Sequence, residues 1–385
     1  MYNISDFGAM IADKARTDPY VTALRDAVES NSIVMDIGAG TGIFALLACH
    51  FGARHVYAIE PNDAIQVGRE LADANGFSEK ISFIQDISTK ITLPEKANII
   101  ISDIHGMLPF FGQHLPSIID ARQRHLASAG RLIPSLDIMR VALVEAPDLY
   151  QRYSSPWTEN EFGIDMQATL DWVKNTSWTG KVRKEDKERI VGEAKTWATL
   201  DYQTLESSDI SGEVNWQLDQ DATVHGVRVW FDAVLAEGVG FTNAPDQTEL
   251  IYGSVFFPFL EPVLLNKGDT VSIIIQANLA GDEYIWRWHT RIYAANDPDK
   301  VITEYKQSSF DGVPFSLSKL RKRAGSYKPV LNEDGLLNIE IMKMMEQGLI
   351  LEDIAHKLTK IFPKRFTNWQ HALAEVGKLS IKYSE

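Results

Sequence analysis

The stretch IVMDIGAGTGIFALLACHFGARHVYAIEPND, residues 33–63, decides the fold. The apolar run that starts at Ile33 reads as a buried strand ending at Asp36. Gly38, Gly40 and Gly42 then punctuate a tight turn, an apolar helix follows near 42–51, and a second strand over 55–60 ends on Glu60. Strand, glycine turn, helix and strand in that order make a βαβ unit, which implies a parallel sheet. The glycines let the backbone approach a ligand, and a carboxylate closing the second strand accepts hydrogen bonds from a ribose diol. A nucleoside cofactor is therefore implied. Asp36 decides which one: a carboxylate two residues before the first glycine repels a pyrophosphate and suits an ammonium. The pattern favours S-adenosylmethionine over a dinucleotide.

Outward from this unit the alternation continues, with strands expected at 81–85, 97–102 and 131–133. Helices are expected at 62–76 and at 114–128, the latter ending at Gly130 with Arg122 and Arg124 in its last turns. This is a doubly wound α/β domain over residues 1–133. The end of its third strand offers Gln85, Asp86 and Ile87, an acid for an adenine amino group and a backbone N–H for the ring, with Ser88 and Thr89 as the slipped register. Beyond Pro134 many short strand-like runs separated by Asn, Asp, Gly and Pro indicate a β-barrel or sandwich over 134–318. Within it, 166–195 is charged and partly helical, and its Trp172 and Trp178 suit either an oligomer contact or a hairpin packed on its own chain. Residues 330–385 read as three helices with apolar residues at i, i+3, i+4 spacing, a small separate helical domain behind the basic linker KLRKRAGSYK, 319–328.

The 52 acidic residues outnumber 38 Lys and Arg, so the formal charge is 38 − 52 = −14, which argues against general nucleic-acid binding. One cysteine, Cys49, rules out an internal disulfide and a cysteine zinc site. The N-terminus lacks the apolar core of a secretory signal and no run is long enough to span a membrane, so the cytoplasm is the expected compartment.

The run 33–63 resembles motif I and its neighbours in class I methyltransferases. Upstream, DFGAMIADKARTDPY carries Met10, Asp13, Arg16 and Thr17 and resembles the segment that precedes the sheet in protein arginine methyltransferases. Downstream, LPEKANIIISDIHG and RHLASAGRLIPS resemble that family's strands four and five with the acidic loop between them, and FGIDM resembles the start of its dimerisation arm. The resemblance spans residues 2–315. It implies a Rossmann-like cofactor domain followed by a β-barrel domain with a dimerisation arm, hence a homodimer. It also implies that S-adenosyl-L-methionine is held by Arg16, Asp36, Gly38, Gly40, Glu60, Asp86 and Ile87, with Arg16 gripping the methionine carboxylate. The C-terminal helices resemble the small PqqD-like modules that bind leader peptides.

The departures bear on substrate. The family holds a guanidinium between two glutamates, whereas the corresponding loop, SDIHGMLPFFGQHL, has Asp103 at the first position and Gly112 at the second. The family's Thr-His-Trp loop matches Glu249, Leu250 and Ile251, of which Glu249 would restore a charge. The acidic loop instead offers Asp103, His105 and His114 as catalytic candidates, a histidine being able to take a proton from an attacking nitrogen or hydroxyl. Trp286, Trp288 and His289 would either line an aromatic pocket or belong to the core. The expectation is a methyltransferase acting without a metal on a nitrogen or oxygen of a peptide or protein, and without the two-glutamate clamp. The alternatives are a small-metabolite methyltransferase and a catalytically silent cofactor-binding scaffold.

Overall fold

Two helices, α1 (Ile4–Ala12) and α2 (Lys14–Ala27), lead into β1 (Ile33–Ile37). The computed structural model describes residues 3–180, 187–247 and 250–384. After β1 come α3 (Ile43–His50), β2 (His55–Ile59), α4 (Ile65–Ala74), β3 (Ile81–Ile84), β4 (Ala97–Ser102), α5 (His114–His125) and β5 (Leu126–Ile133). The strands pair in parallel in the order β3-β2-β1-β4-β5. All five residues of β1 are buried, as a central parallel strand covered on both faces requires. The strand order reverses between β1 and β4, and in such sheets ligands bind outside the carboxyl ends of the strands at that point.

The third helix of the expected set ends sooner than its sequence suggests. α5 stops at His125, and Leu126, already extended, pairs with Ala97. An irregularity in register lets Arg131 pair with Ile99. Hydrogen bonding along the open edge of β4 outweighs the helical preference of Ala127 and Ala129, so residues 126–128 belong to the strand.

The second part contains β6 (Leu136–Glu145), α6 (Pro147–Thr158), a 3₁₀ turn at Gln167–Thr169, α7 (Leu170–Lys174), β7 (Trp178–Gly180), β8 (Arg189–Asp201), β9 (Ile210–Gln217) and β10 (Ala222–Ala236). It continues with β11 (Val239–Thr242), β12 (Ser254–Leu265), β13 (Thr270–Ala280), β14 (Glu283–Ala294) and β15 (Asp297–Ser308). Its strands form two antiparallel sheets, β7-β12-β10-β6-β8 with β11 on β10, and β15-β14-β13-β9. One hydrophobic core runs from Tyr20 and Val34 through Met139 and Val229 to Ile275 and Ile292, without a break where the parallel sheet gives way to the antiparallel ones.

The segment 166–195 divides its two tryptophans. Trp172 is 46% exposed, whereas Trp178 is buried, stacked on Tyr153 at 4.4 Å and packed on Phe256, with its Nε1–H given to Val173 O. Trp178 is thus spent inside its own chain, because β7 pairs with β12 and turns that face inward. Residues 181–186 of this segment lie outside the described residues.

The chain forms two compact units, Met1–Pro314 and Phe315–Glu385. The second holds α8 (Leu317–Arg323), α9 (Glu333–Glu346), α10 (Leu351–Ile361) and α11 (Trp369–Tyr383). Asn332 and Asn368 cap the starts of α9 and α11. Its own core gathers Leu337, Ile341, Ile354, Leu358, Phe366 and Val376. Among the described residues no helix is long and apolar enough to cross a membrane.

Candidate active site

A cavity of about 360 Å³ opens beyond the carboxyl ends of β1, β2, β3 and β4, within the range of small-molecule sites. The glycine turn forms its floor. Gly38, Gly40 and Gly42 have φ of 71°, 53° and 79°, the left-handed region. A Cβ on Gly40 would stand 2.5 Å from the Phe7 ring, so close approach as well as backbone angle demands glycine there. Glu60 is fixed by two backbone donors, Gly40 N–H to Oε2 at 2.9 Å and Asn62 N–H to Oε1 at 2.8 Å. Asp86, Ile87 and Ser88 line the same cavity, and Phe7, Met10, Ile11 and Phe44 give it an apolar wall. Of the expected cofactor residues, Arg16, Gly38, Gly40, Glu60, Asp86 and Ile87 all border it. Gln85 lies outside it, bonded to Gln66 and Asp63.

These residues fit S-adenosylmethionine. Glu60 offers a pre-oriented carboxylate for a diol, Asp86 an acceptor for an amine, and Arg16 a guanidinium for a carboxylate, all bordering the one cavity.

Asp36 does not border the cavity. It is buried beneath the turn and accepts from Ala45 N at 3.0 Å, at the start of α3. Burial raises its carboxyl to about 7, opposed by the Ala45 hydrogen bond and reinforced by Glu60. A carboxyl half-neutral near neutrality and screened by the turn does not discriminate against pyrophosphate as a surface charge would, so that part of the sequence argument is corrected.

At the far wall Arg16 and Asp103 pair directly, and Tyr252 donates to Asp103 as well. Arg16 further gives Nε–H to the Tyr252 hydroxyl oxygen at 2.8 Å and Nη1–H to Met10 O at 2.8 Å. Asp13 starts α2 by accepting from Arg16 N, and its other oxygen takes Ile251 N–H at 2.8 Å, which ties the N-terminal helices to the loop before β12. Tyr252 stands one residue beyond the positions 249–251 singled out in the sequence. Leu250 is a core residue, and Glu249 lies outside the described residues.

His105 and His114 are 0% and 1% exposed and do not border the cavity, which corrects their reading as proton acceptors facing substrate. The reason is local: the backbone after Asp103 turns inward, and His105 stacks flat on Phe231, rings 5.1 Å apart and 6° from parallel. The His105 ring joins Nδ1 to Asp103 Oδ1 at 3.2 Å and Nε2 to Asp137 Oδ2 at 2.9 Å. Tyr202 O–H also donates to Asp137, and His114 Nε2 meets the Tyr202 oxygen at 3.0 Å. Burial, followed by His105, holds His114 well below the usual imidazole range. Gly112 does not border the cavity either.

The aromatic strand β14 is core. Trp286 packs on Phe110 and Phe257, Trp288 gives Nε1–H to Pro258 O at 3.0 Å, and His289 faces the other way to Glu304 at 2.7 Å. None of the three reaches the cavity. Phe7, Phe111 and Tyr252 do; the first two lie in stretches quoted from the sequence without being singled out, and Tyr252 lies just past one.

Residues 14–138 match the family model of ribosomal protein L11 methyltransferase. The chain is 28% identical over 328 residues to the probable protein arginine N-methyltransferase 6 of Arabidopsis thaliana, covering 82% of this chain and 73% of that one. It is 27% identical over 301 residues to human protein arginine N-methyltransferase 2, covering 74% and 68%. The Trypanosoma brucei PRMT1 enzyme-prozyme heterotetrameric complex with AdoHcy superposes with a TM-score of 0.72 at 22% identity, over 80% of this chain and 98% of that one. Arabidopsis thaliana protein arginine methyltransferase 10 superposes with 0.68 at 21% identity, over the same shares. The parallel-sheet domain followed by antiparallel sheets is the fold of these structures.

Proposed function

We propose that this chain, a relative of the protein arginine methyltransferases, is an S-adenosylmethionine-dependent methyltransferase that acts on a nitrogen of a protein or peptide. The observation that carries the reading is the cavity at the strand-order reversal, lined by the glycine turn and by Glu60, which the Gly40 N–H holds at 2.9 Å. The similarity to arginine methyltransferases over 82% of the chain supports the same reaction.

When bound, the cofactor supplies a sulfonium methyl group for a one-step displacement at carbon. The chain's own part is to bind, orient and exclude water. Glu60 and Asp86 present acceptors along one side of the cavity, and Phe7, Met10, Ile11 and Phe44 dry it. Arg16 presents its guanidinium from α2, and Asp103 and Tyr252 keep it there.

A second reading is favoured by one specific observation. Asp103 already receives Arg16, Tyr252 and His105, so it has little acceptor capacity left for a substrate guanidinium, and Gly112 supplies none. The nucleophile would then be an uncharged nitrogen or oxygen rather than a clamped arginine. Incubation with methyl-labelled cofactor and peptides bearing arginine, lysine or histidine, followed by residue analysis, separates the two. Label in methylarginine supports transfer to an arginine, label on lysine or histidine supports transfer to a nucleophile held otherwise, and no label on these peptides or on the proteins and metabolites of a cell extract incubated in parallel sinks both in favour of a silent scaffold.

The assembly proposed with this reading is a homodimer through the segment after α6, where Phe162 is 79%, Ile164 61% and Trp172 46% exposed. Sedimentation velocity is expected to show a dimer that Phe162→Asp with Trp172→Ala converts to monomer. A monomeric wild type overturns it.

A further inference from the structure

The loop that joins β3 to β4, residues 85–96, brings Asp86, Ile87 and Ser88 to the cavity, and it has no strand or helix of its own to hold it. Two of its carbonyls turn to one side chain on α5. Arg124 gives Nη1–H to Ile91 O at 2.6 Å and Nη2–H to Ser88 O at 3.1 Å. Asp120, one turn back on the helix, takes the other edge of the same guanidinium, with Nε–H to Oδ1 at 2.8 Å and Nη2–H to Oδ2 at 2.6 Å. A planar fork gripped bidentately along one edge has its remaining N–H groups fixed in direction. Lys96, the last residue of the loop, donates to Arg124 O and closes the arrangement. A half-exposed ion pair within one helix adds little to stability by itself, so its effect lies in what the free edge of the guanidinium holds.

From Ser88 the constraint passes to the carboxylate at the cavity. Lys90 N–H meets Ile87 O at 2.9 Å and folds 87–90 into a turn, and Ile87 N–H meets Asp86 Oδ1 at 2.7 Å. The loop backbone thus orients the Asp86 carboxylate and leaves its Oδ2 to accept from a base. Arg124 in turn does not drift, because α5 is fastened to the antiparallel sheets at two points. Gln113 gives Nε2–H to Gly281 O at 2.8 Å, and Arg122 gives Nη1–H to Tyr202 O at 2.9 Å and to Leu205 O at 2.7 Å. Ser117, seven residues before Arg124 and on the same face of the helix, itself borders the cavity.

We propose that Arg124 is a positioning residue that sets base specificity: by holding Ser88 O and Ile91 O it fixes the turn that presents Asp86 to the amine of the cofactor's adenine, and so makes the cavity prefer adenine to a purine with a carbonyl in that place. This rests on the cavity being the S-adenosylmethionine site.

The test is calorimetry of the full chain with S-adenosylhomocysteine and with S-inosylhomocysteine, in which a carbonyl replaces the purine amine. A carboxylate accepts from the amine and repels the carbonyl oxygen. Wild type is therefore expected to bind the adenine compound about 10- to 100-fold more tightly, the size of one hydrogen bond to a charged group. Arg124→Ala should bring that ratio to within about threefold, chiefly by weakening S-adenosylhomocysteine. Arg124→Lys keeps one donor for the loop and should fall between. Arg122→Ala, which frees Tyr202 O and Leu205 O instead, should keep the wild-type ratio whatever it does to the melting temperature. An unchanged ratio in Arg124→Ala overturns the proposal, and so does an equal fall in Arg122→Ala, which would mean that any loosening of α5 suffices. Should Arg124→Ala not melt cooperatively, Arg124→Lys decides in its place, and a wild-type ratio there overturns the proposal. A wild type that binds neither compound refutes the cofactor reading of the cavity. One that binds both alike leaves that reading standing and overturns the roles of Asp86 and Arg124 together.

Discussion

Glu60 occupies the most constrained position in the cavity, since the backbone of the glycine turn and the backbone after β2 both donate to it. Glu60→Ala frees those two N–H groups and removes the acceptor for a diol. The loss of a charged hydrogen-bond partner is expected to weaken S-adenosylhomocysteine binding by about 1.5–3 kcal/mol, and unchanged affinity by calorimetry would remove Glu60 from the site. Asp36 is a different kind of residue, structural and titratable. Its carboxyl is raised from 3.8 to about 7 by burial, so in the interval between those values the folded chain holds a proton that the unfolded chain has released. Its contribution is therefore most favourable at low pH and is lost as pH rises to about 7. Asp36→Asn retains an oxygen for Ala45 N–H and abolishes the titration. The variant should lack a decline in unfolding free energy of up to roughly 1.4 kcal/mol per pH unit, measured by urea denaturation, and parallel pH curves for the two proteins would contradict this. At this scale the residues that line the cavity from the glycine turn and the end of β2 were legible, because turn glycines and a strand-ending acid are local in sequence. The rest was not. His105 meets Asp137 across 32 residues and Asp137 meets Tyr202 across 65, contacts set by how two sheets face each other and invisible to spacing.

Among the elements, strands with a period of two and parallel runs bounded by glycine stood out, and β1, β2 and β4 begin where their patterns begin. The end of α5 did not, because the residues after His125 suit a helix and only the presence of β4 beside them draws them into a strand. The segment between α6 and β8 shows the same limit. The sequence left both of its tryptophans open to an oligomer contact or to packing on their own chain, and Trp178 takes the second course, under Tyr150 and Tyr153 on the face of β7 that meets the chain's own core. Truncating it should empty a well-filled site. Trp178→Ala is expected to destabilise the chain by about 3–5 kcal/mol, read from the urea midpoint, with no change of oligomeric state beyond what unfolding causes. A loss under about 1 kcal/mol would mean that Trp178 is not the core residue described here. Trp172→Ala, by contrast, should move that midpoint only so far as it weakens the dimer, and so in a concentration-dependent way.

For the whole molecule the telling feature is which parts share a core. The sequence suggests a cofactor domain and a β domain, separated near Pro134, and a third group of helices. The packing joins the first two through one continuous cluster and gives the residues from Phe315 onward a cluster of their own. Scanning calorimetry should accordingly resolve two transitions rather than three. A chain ending at Pro314 should keep the larger one and bind S-adenosylhomocysteine as tightly as the full chain. At a ligand concentration of about 100 Kd the larger transition should gain about 2.7 kcal/mol and the smaller one nothing; three separate transitions, or a ligand shift in the smaller, would contradict this partition. Shared packing also means that β10 and β13, which do not border the cavity, stand on the same side chains as the strands that do. Filling the cavity should then slow deuterium uptake at the backbone amides of those two distant strands, so that the antiparallel half of the molecule reports, through its breathing alone, whether the parallel half is loaded.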